Sequence, residues 1–346
     1  MQPYFLINMP SFSDLQITQT SRNVFPDRDP WPKAVRLFPK QLIECGAFLA
    51  ITSNQSHGRA HSDIRVAGNL LEKGAKVRSA SYECTSKSLS PRHFKLLLEL
   101  ININKTAKVG DVFEFSPGKM LALMNIKSSG SAYRDLERML CDLAKMTFSN
   151  SDPLVMEEAE GLLATLHTTN FSLENGDVIE ASNNNRIWSF SLSEFMCNLL
   201  AHDNLSSVHK NILNEIGRSP ILTWTYLFYS THGSDGGQIT PYGIKKLAER
   251  SGLAQRCQLM KSVGKADDAI NAAMREIKFR IRTALVKLRA LNIFKSVVIE
   301  RTVASELLPI IEYKTTIERF KYSFETLLSE SSFNKRSTLI ANTPHE

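Results

Sequence analysis

One row of polar side chains at helical spacing is the feature of this sequence best suited to bind another molecule. The row consists of Asn271, Arg275, Lys278, Arg282 and Arg289. At about 100° per residue, these side chains fall within about 60° of one another on one side of a helix. Arg and Lys neutralise phosphates, while Arg pairs with guanine and Asn with adenine through two hydrogen bonds. The row therefore predicts DNA contact.

The element that positions this row is predicted to be one long helix from Ala266 to Ala290. Apolar side chains recur along it at spacings of three and four, which makes one apolar stripe. The stripe consists of Ile270, Met274, Ile277, Ile281, Ala284, Leu288 and Leu291. Asp267 and Asp268 supply the negative charge that a helix N-terminus favours. A helix with one buried side and a row of cations has the form of a DNA-reading helix, and the competing interpretation is a solvated amphipathic helix.

The distribution of charge favours nucleic acid as the partner. The 346 residues carry a net charge of +7, and residues 205–320 hold 18 Lys and Arg against 10 Asp and Glu. Such a concentrated excess indicates a polyanion. A membrane is disfavoured because no apolar run approaches about 18 residues and no basic amphipathic segment carries aromatic anchors. The composition, 42% hydrophobic and 22% charged, is typical of a soluble globular protein, and the length predicts two domains plus tails.

No metal site, cofactor or catalytic centre is predicted. His57 and His61 have the i, i+4 spacing of metal ligands, but a glycine lies between them and no third ligand is evident. Gly118-Lys119 lacks the spacing of a phosphate-binding loop, with Met120 where Ser or Thr is needed. The five cysteines are scattered and odd in number, and the N-terminus has no secretory signal, so we expect reduced thiols in the cytoplasm.

The chain is predicted to be α+β, predominantly helical, with two tandem winged-helix domains, because helices and strands follow the same order in each half. The predicted divisions are an N-terminal tail and edge segment (1–80), a first winged-helix domain (81–203), a second, DNA-binding one (204–320) and a C-terminal tail (321–346).

The predicted elements of each half lie between turn and cap signals. Before the first half, we expect a strand and a helical turn at the domain edge in 31–56, and a surface excursion in 56–80. The first half is predicted to contain a strand at 81–89, a helix after Ser90-Pro91, a strand at 112–116, helices at 117–125 and 132–146, and a hairpin that pairs 163–173 with 186–192 around a turn at 174–177. The second half is predicted to contain helices at 205–216, 219–232 and 241–253, a short strand at 238–240, a basic connector at 254–265, the long helix, and strands at 292–302 and 310–316.

Two further sets of cations are predicted to contact DNA. On the 132–146 helix, Arg134, Arg138 and Lys145 gather opposite an apolar stripe; they form either a second reading surface or a solvated face. Other cations occur before, between and after the helices of the second half, where contacts with the DNA backbone usually form. They are Lys245, Lys246, Lys261, Lys265, Lys295 and Arg301.

From about Val35 to Thr302 the chain resembles the plasmid replication initiators of the TrfA/RepA type. The similarity is carried by VRLFPKQLIECGAF, SYECTSKSL and FEFSPGKMLALMNIKSSGSAYRDLERMLCDLAKMTF, especially its Ser129–Leu143 run. The resemblance implies tandem winged helices that bind repeated sites (iterons) at a plasmid origin, open nearby AT-rich duplex, and recruit the host initiator and helicase. It also implies copy-number control through homodimers that do not initiate.

The resemblance further implies contact with the sliding clamp through a short peptide ending in Leu-Phe. The nearest candidate, residues 34–38, lacks the expected leading Gln, so we expect Leu37 and Phe38 to enter a core instead.

Two other functions compete with the initiator. A sequence-specific transcriptional regulator would use the same scaffold on one palindrome. A DNA relaxase or recombinase would need a tyrosine nucleophile, and Tyr133, Tyr226 and Tyr242 are the candidates. No His cluster or Arg-His-Arg arrangement supports any of them, and Tyr133 falls on an apolar stripe. We therefore expect a DNA-binding protein that is not an enzyme.

Overall fold

A computed structural model describes residues 34–50, 66–69, 79–84, 88–104, 110–150, 160–174, 176–180, 186–201, 205–232, 242–301 and 307–313. Helices and antiparallel sheets occur together in these ranges, as in an α+β protein. The helices are α1 (Gln41–Glu44), α2 (Pro91–Ile103), α3 (Pro117–Leu123), α4 (Gly130–Ala144), α5 (Glu194–Ala201), α6 (Lys210–Ile216), α7 (Pro220–His232), α8 (Ile244–Arg250), α9 (Gln255–Ser262) and α10 (Asp267–Ala290).

The strands of the described residues pair in four antiparallel sheets, whose orders are β1-β11, β2-β3-β5-β6, β4-β10-β7-β8-β9 and β12-β13. The strands are β1 (Val35–Pro39), β2 (Val66–Asn69), β3 (Ser79–Cys84), β4 (Phe113–Phe115), β5 (Thr147–Asn150), β6 (Glu160–Gly161), β7 (Leu163–His167), β8 (Phe171–Glu174), β9 (Asp177–Glu180), β10 (Trp188–Leu192), β11 (Leu205–His209), β12 (Phe294–Arg301) and β13 (Leu307–Tyr313).

In the first half, α4 packs against α2, α3 and β7. Its N-terminus is capped by the Ser129 hydroxyl, which accepts a hydrogen bond from the Ala132 amide at 3.2 Å. The predicted stripe is confirmed for Leu136, Met139, Leu140 and Leu143, which are buried. Tyr133 was expected in the core but is 37% exposed, and its hydroxyl lies beside Gly118 in the first turn of α3.

The turn at residues 174–177 is confirmed, but its strands pair differently from the prediction. β8 pairs with β9 across the turn, with Glu174 opposite Asp177, and Gly176 takes a positive φ of 84° that suits glycine. The predicted pairing of 163–173 with 186–192 is confirmed in part, because β7 at 163–167 pairs with β10, which also pairs with β4. The prediction missed β9, the strand that follows the turn, because its side chains are mostly exposed and no apolar alternation marks it.

Residues 34–50 contain the predicted strand and helical turn, as β1 and α1, and most of their side chains are buried. Phe38 and Phe48 have no exposed surface, and their rings pack edge-on against Phe94 of α2, with centroids 5.0 and 4.8 Å away. Phe38 therefore enters the core as expected, while Leu37 is half-buried. Strand β1 pairs with β11, so this segment connects both halves of the chain.

A half-buried cation also joins the two halves. The Lys95 ammonium on α2 donates hydrogen bonds to the carbonyl oxygens of Leu213 and Gly217, at the end of α6, over 2.7 and 2.6 Å. Burial lowers the pKa of this side chain to about 8. Apolar side chains of both halves form one continuous core, which includes Phe38 and Phe294. The predicted domain divisions stay predictions.

Three predicted segments need correction. Residues 205–209 form β11 and not a helix, because Ser206 and Val208 are buried while Ser207 is exposed, and the strand pairs with the distant β1. The 254–265 connector contains helix α9. The 56–80 excursion contains β2 and the start of β3, which pair with each other. The expectations for the two tails, for His57 and His61, and for a strand at 238–240 lie outside the described residues.

The turn after α8 packs tightly against the N-terminal segment. Gly252 has a φ of +76°, and a Cβ atom at this position would lie 2.7 Å from Leu49 Cδ1. Gly264 has a similar φ of +70° but open space around it. The two glycines therefore share a backbone requirement and differ in packing.

We expect Gly252→Ala to lower the free energy of unfolding by about 2–4 kcal/mol, from left-handed strain plus overpacking. Gly264→Ala is the matched control and should lower it by only about 1–2 kcal/mol, because only the backbone is strained. Urea unfolding measures both values. Equal losses in the two variants would contradict the packing of Leu49 on this turn.

Candidate nucleic-acid interface

Helix α10 has one buried side, which fixes how the rest of it faces solvent. It packs against α7, α8, α9 and β12. Its buried side chains are Ala273, Ile277, Ile281, Ala284, Leu285 and Leu288. The predicted helix is therefore confirmed to within one residue at its start, and Asp267 and Asp268 lie in its first turn.

The predicted row of polar side chains lies along one flank of this helix, which we call the basic flank. Asn271, Arg275, Arg282 and Arg289 are exposed, and Lys278, nearest the buried side, is half-buried. These side chains thus share one solvent-facing strip of a rigid element. Their contact with DNA stays a prediction.

Two large apolar side chains lie at the centre of the exposed side, and we call them the apolar ridge. Phe279 is 67% exposed and Val286 is 57% exposed. On the far side of this ridge, Arg280 and Lys287 are also exposed. The sequence-based prediction of DNA-contacting residues did not include Arg280 and Lys287. Counting about 100° per residue from the buried side would have placed both on the exposed side of the helix.

The exposed side of α10 is positive along most of its length. Between Met274 and Ala290 the sequence has six Lys and Arg and one acidic residue, Glu276. The Glu276 carboxylate accepts a hydrogen bond from Arg256 of α9 over 3.4 Å. This ion pair offsets the negative charge on this stretch of the helix. The remaining cations present a positive surface that is suited to a polyanion.

The cations predicted to contact the DNA backbone surround α10. Lys245 and Lys246 are exposed on α8, which packs on α10. The Lys246 ammonium lies 5.5 Å from the centre of the Tyr242 ring, close enough for a cation–π contact. Lys261 is exposed on α9 and Lys265 is exposed just before α10. The backbone of Lys295 and Arg301 is in β12, and their side chains lie outside the described part of the structure.

The second predicted surface is on α4, away from α10. Arg134, Arg138 and Lys145 are all exposed, so the structure brings them together on the outside of that helix. Arg138 forms an ion pair with Asp135 one turn earlier. The Arg92 guanidinium also lies 3.8 Å from this carboxylate. Part of the positive charge at this end of α4 is therefore offset.

Two of the three tyrosine candidates for catalysis, Tyr226 and Tyr242, make contacts within the fold. The hydroxyl of Tyr226, which is 4% exposed, accepts a hydrogen bond from the His209 amide over 2.9 Å. Tyr242 packs on Phe228 and His232 of α7.

Two buried thiols are poor nucleophiles because burial raises the pKa of Cys141 to about 12 and that of Cys197 to about 11. Within the described ranges no group of three or more His, Cys, Asp and Glu could hold a metal ion. None of the helices described is both long and apolar enough to cross a membrane.

No protein-family model matches the chain, and no curated protein matches it in sequence. Among solved structures, a selenomethionine crystal structure of domains 2 and 3 of RctB has a TM-score of 0.41 and 12% sequence identity, and the match covers 75% of this chain and 95% of that one. A second crystal structure of RctB domains 2–3 has a TM-score of 0.40 and 12% identity, with 77% and 97% covered. These values are too low to assign a family, so the function is inferred from the residues of α10.

Proposed function

We propose that the chain is a plasmid replication initiator whose helix α10 enters the major groove of duplex DNA. The observation that carries this proposal is the division of α10 into a side buried against α7 and α8 and an exposed side rich in Arg and Lys. The major groove is about 12 Å wide, and an α-helix with its side chains is about 10–12 Å across, so the groove admits it.

The order of the surrounding elements supports a winged-helix arrangement in each half. In the second half, α7, α8 and α10 pack together, and β12 and β13 follow as a hairpin that would form the wing. In the first half, α2, α3 and α4 precede β7 and β10, and β10 pairs with both β4 and β7. The exposed cations of α4 would then form the second reading surface.

The angular positions of the side chains divide their roles. Arg275 and Arg282 lie within about 50° of the ridge centre, so they are best placed to reach base edges, where Arg favours guanine. Asn271 lies about 70° from the centre at the start of the helix and would reach adenine there.

The other cations of α10 are placed to neutralise phosphates. Lys278, Arg280 and Lys287 lie about 90° or more from the ridge centre, towards the walls of the groove. Arg289 lies about 70° away near the end of the helix and contacts the backbone there. The cations of α8, α9 and β12 add further phosphate contacts around the helix.

Two groove-facing helices in one chain favour an initiator over a transcriptional regulator. Such a chain needs no two-fold partner to contact successive turns of DNA, which suits head-to-tail repeats, whereas a symmetric dimer suits a palindrome. The resemblance to the TrfA/RepA initiators agrees with this choice. By the same resemblance the partners are the host initiator, the helicase and the sliding clamp, in the cytoplasm, and homodimers limit copy number.

The proposed mechanism needs no cofactor and no catalysis by this chain. Opening of AT-rich duplex would use the binding energy of several protomers together with negative supercoiling and host proteins. The chain's own part is to hold α10 rigidly against DNA and to neutralise about six to eight phosphates, which gives a log–log salt slope of about −5 to −7.

The test is selection of bound fragments from random and plasmid libraries, followed by footprinting with the full chain. We expect protection of several head-to-tail repeats at an origin. Protection of one palindrome at a promoter would favour the regulator. Failure to enrich any duplex sequence at moderate ionic strength would overturn sequence-specific DNA binding itself.

A further inference from the structure

The apolar ridge of α10 has no role in phosphate or hydrogen-bond contact, yet it occupies the centre of the exposed side. Phe279 is 67% exposed and Val286 is 57% exposed, and both face solvent between two sets of cations. Leaving two large apolar groups in water forgoes the free energy of burying them. A partner with apolar groups between anionic edges would cover them.

We propose that Phe279 and Val286 contact the 5-methyl groups of two thymines in the major groove, which makes them determinants of sequence specificity. The inference rests on the proposed function. The thymine methyl is the apolar group on the floor of the major groove, and Phe is among the side chains that contact it. The helix rises about 1.5 Å per residue, so these side chains lie about 10.5 Å apart along the axis. That distance matches about three base pairs.

The cations on both sides of the ridge favour DNA over a second copy of the chain. Half-buried Lys278 and exposed Arg289 lie on one side, and exposed Arg280 and Lys287 lie on the other. Phosphates line both walls of the major groove, so each set of cations would face one wall while the ridge faces the floor. Packing the ridges of two copies together would place like charges against each other on both sides, which is unfavourable.

The size of the effect follows from the burial of one methyl group. Burying one such carbon changes the affinity by about fourfold, so two contacts change it by about 15-fold. This preference for thymine adds to the preference of Arg for guanine. The two preferences together predict selected sites in which two thymines lie three base pairs apart, next to a guanine.

The test uses the full chain and a duplex of about 30 base pairs taken from the selection experiment, in two forms. One form has thymine, and in the other deoxyuridine replaces every thymidine, which deletes the 5-methyl group and keeps base pairing. We expect the unmodified chain to bind the thymine form about 15-fold more tightly. In Phe279→Ala and in Val286→Ala the ratio should fall to about fourfold, and in the double variant to about one.

Val112→Ala is the matched control, because Val112 is 58% exposed in the first half of the chain, just before β4. This variant should keep the 15-fold ratio.

Equal affinity of the unmodified chain for both duplexes, or a 15-fold ratio in Phe279→Ala, would overturn the inference while DNA binding stands. So would a shift from dimer to monomer in sedimentation of Phe279→Ala with the ratio unchanged, because the ridge would then be a protein interface. If no duplex binds, the proposed function fails and the inference fails with it.

Discussion

Replacing Arg275 and Arg282 together by alanine is expected to weaken binding to the selected duplex by at least about 30-fold. Each bidentate contact to a base contributes about 1–3 kcal/mol of discrimination, and of the cations of α10 these two lie closest to the centre of its exposed side. Arg282→Ala alone should cause about half of this loss of binding free energy. Fluorescence anisotropy with the selected duplex and a random duplex measures affinity and selectivity together.

The control is the double variant Lys278→Ala and Lys287→Ala on the same helix. Its affinity should fall for every sequence alike, and its salt slope should become shallower by about two units, because phosphate contacts carry no sequence information. Circular dichroism should show both double variants folded, since the four side chains are exposed or half-buried. Unchanged affinity and selectivity in the arginine variant would remove α10 from the reading surface.

Removing the Arg36 guanidinium is expected to destabilise the fold more than any exposed change. Arg36 of β1 donates two hydrogen bonds to Glu99 Oε2 of α2, at 3.0 and 3.2 Å, and their side chains are 3% and 7% exposed. The Lys210 ammonium lies 3.6 Å from the other carboxylate oxygen. Arg36→Met removes both hydrogen bonds to the buried carboxylate and leaves it with the longer Lys210 contact, so the free energy of unfolding should fall by about 3–5 kcal/mol.

Two further variants isolate the cause of this loss. Adding Glu99→Leu to Arg36→Met removes the unpaired charge and should recover most of the stability. Arg92→Met is the matched control, because it breaks a more exposed ion pair between α2 and α4. Arg92 lies 3.8 Å from Asp135, and their side chains are 49% and 37% exposed. The free energy of unfolding should fall by only about 0–1 kcal/mol. Urea unfolding measures all three. If the double variant were no more stable than Arg36→Met, the loss would not come from the unpaired carboxylate.

The helices that carry the proposed contacts could be predicted from the sequence because their signals are local. Helix α10 has acidic residues in its first turn and a stripe at spacings of three and four, and α4 has a similar stripe after its Ser129 cap. The positions of Arg275 and Arg282 on one exposed strip follow from that pattern alone. Such a pattern needs no knowledge of which elements pack together.

The features that the sequence did not predict depend on contacts between distant parts of the chain or lack an apolar stripe. Residues 205–209 form a strand because β1 supplies hydrogen-bond partners from the other end of the sequence. Helix α9 escaped prediction because Cys257 is its buried side chain, while Leu259 is 66% exposed, so no apolar stripe marks it. The apolar ridge was visible as residues off the stripe, but only the packing of α10 shows that nothing within the described structure covers it.

The most direct test of the central claim places a DNA-cleaving group on α10 itself. Ala272 is exposed on this helix and takes no part in the proposed contacts, so Ala272→Cys can carry an iron chelate, while Glu215→Cys, exposed on α6 outside both proposed reading surfaces, serves as the control. With the selected duplex, we predict strong cuts confined to a few base pairs within each protected repeat from position 272, and none from position 215. Absence of cleavage from position 272 on a duplex that the labelled chain binds would contradict the account.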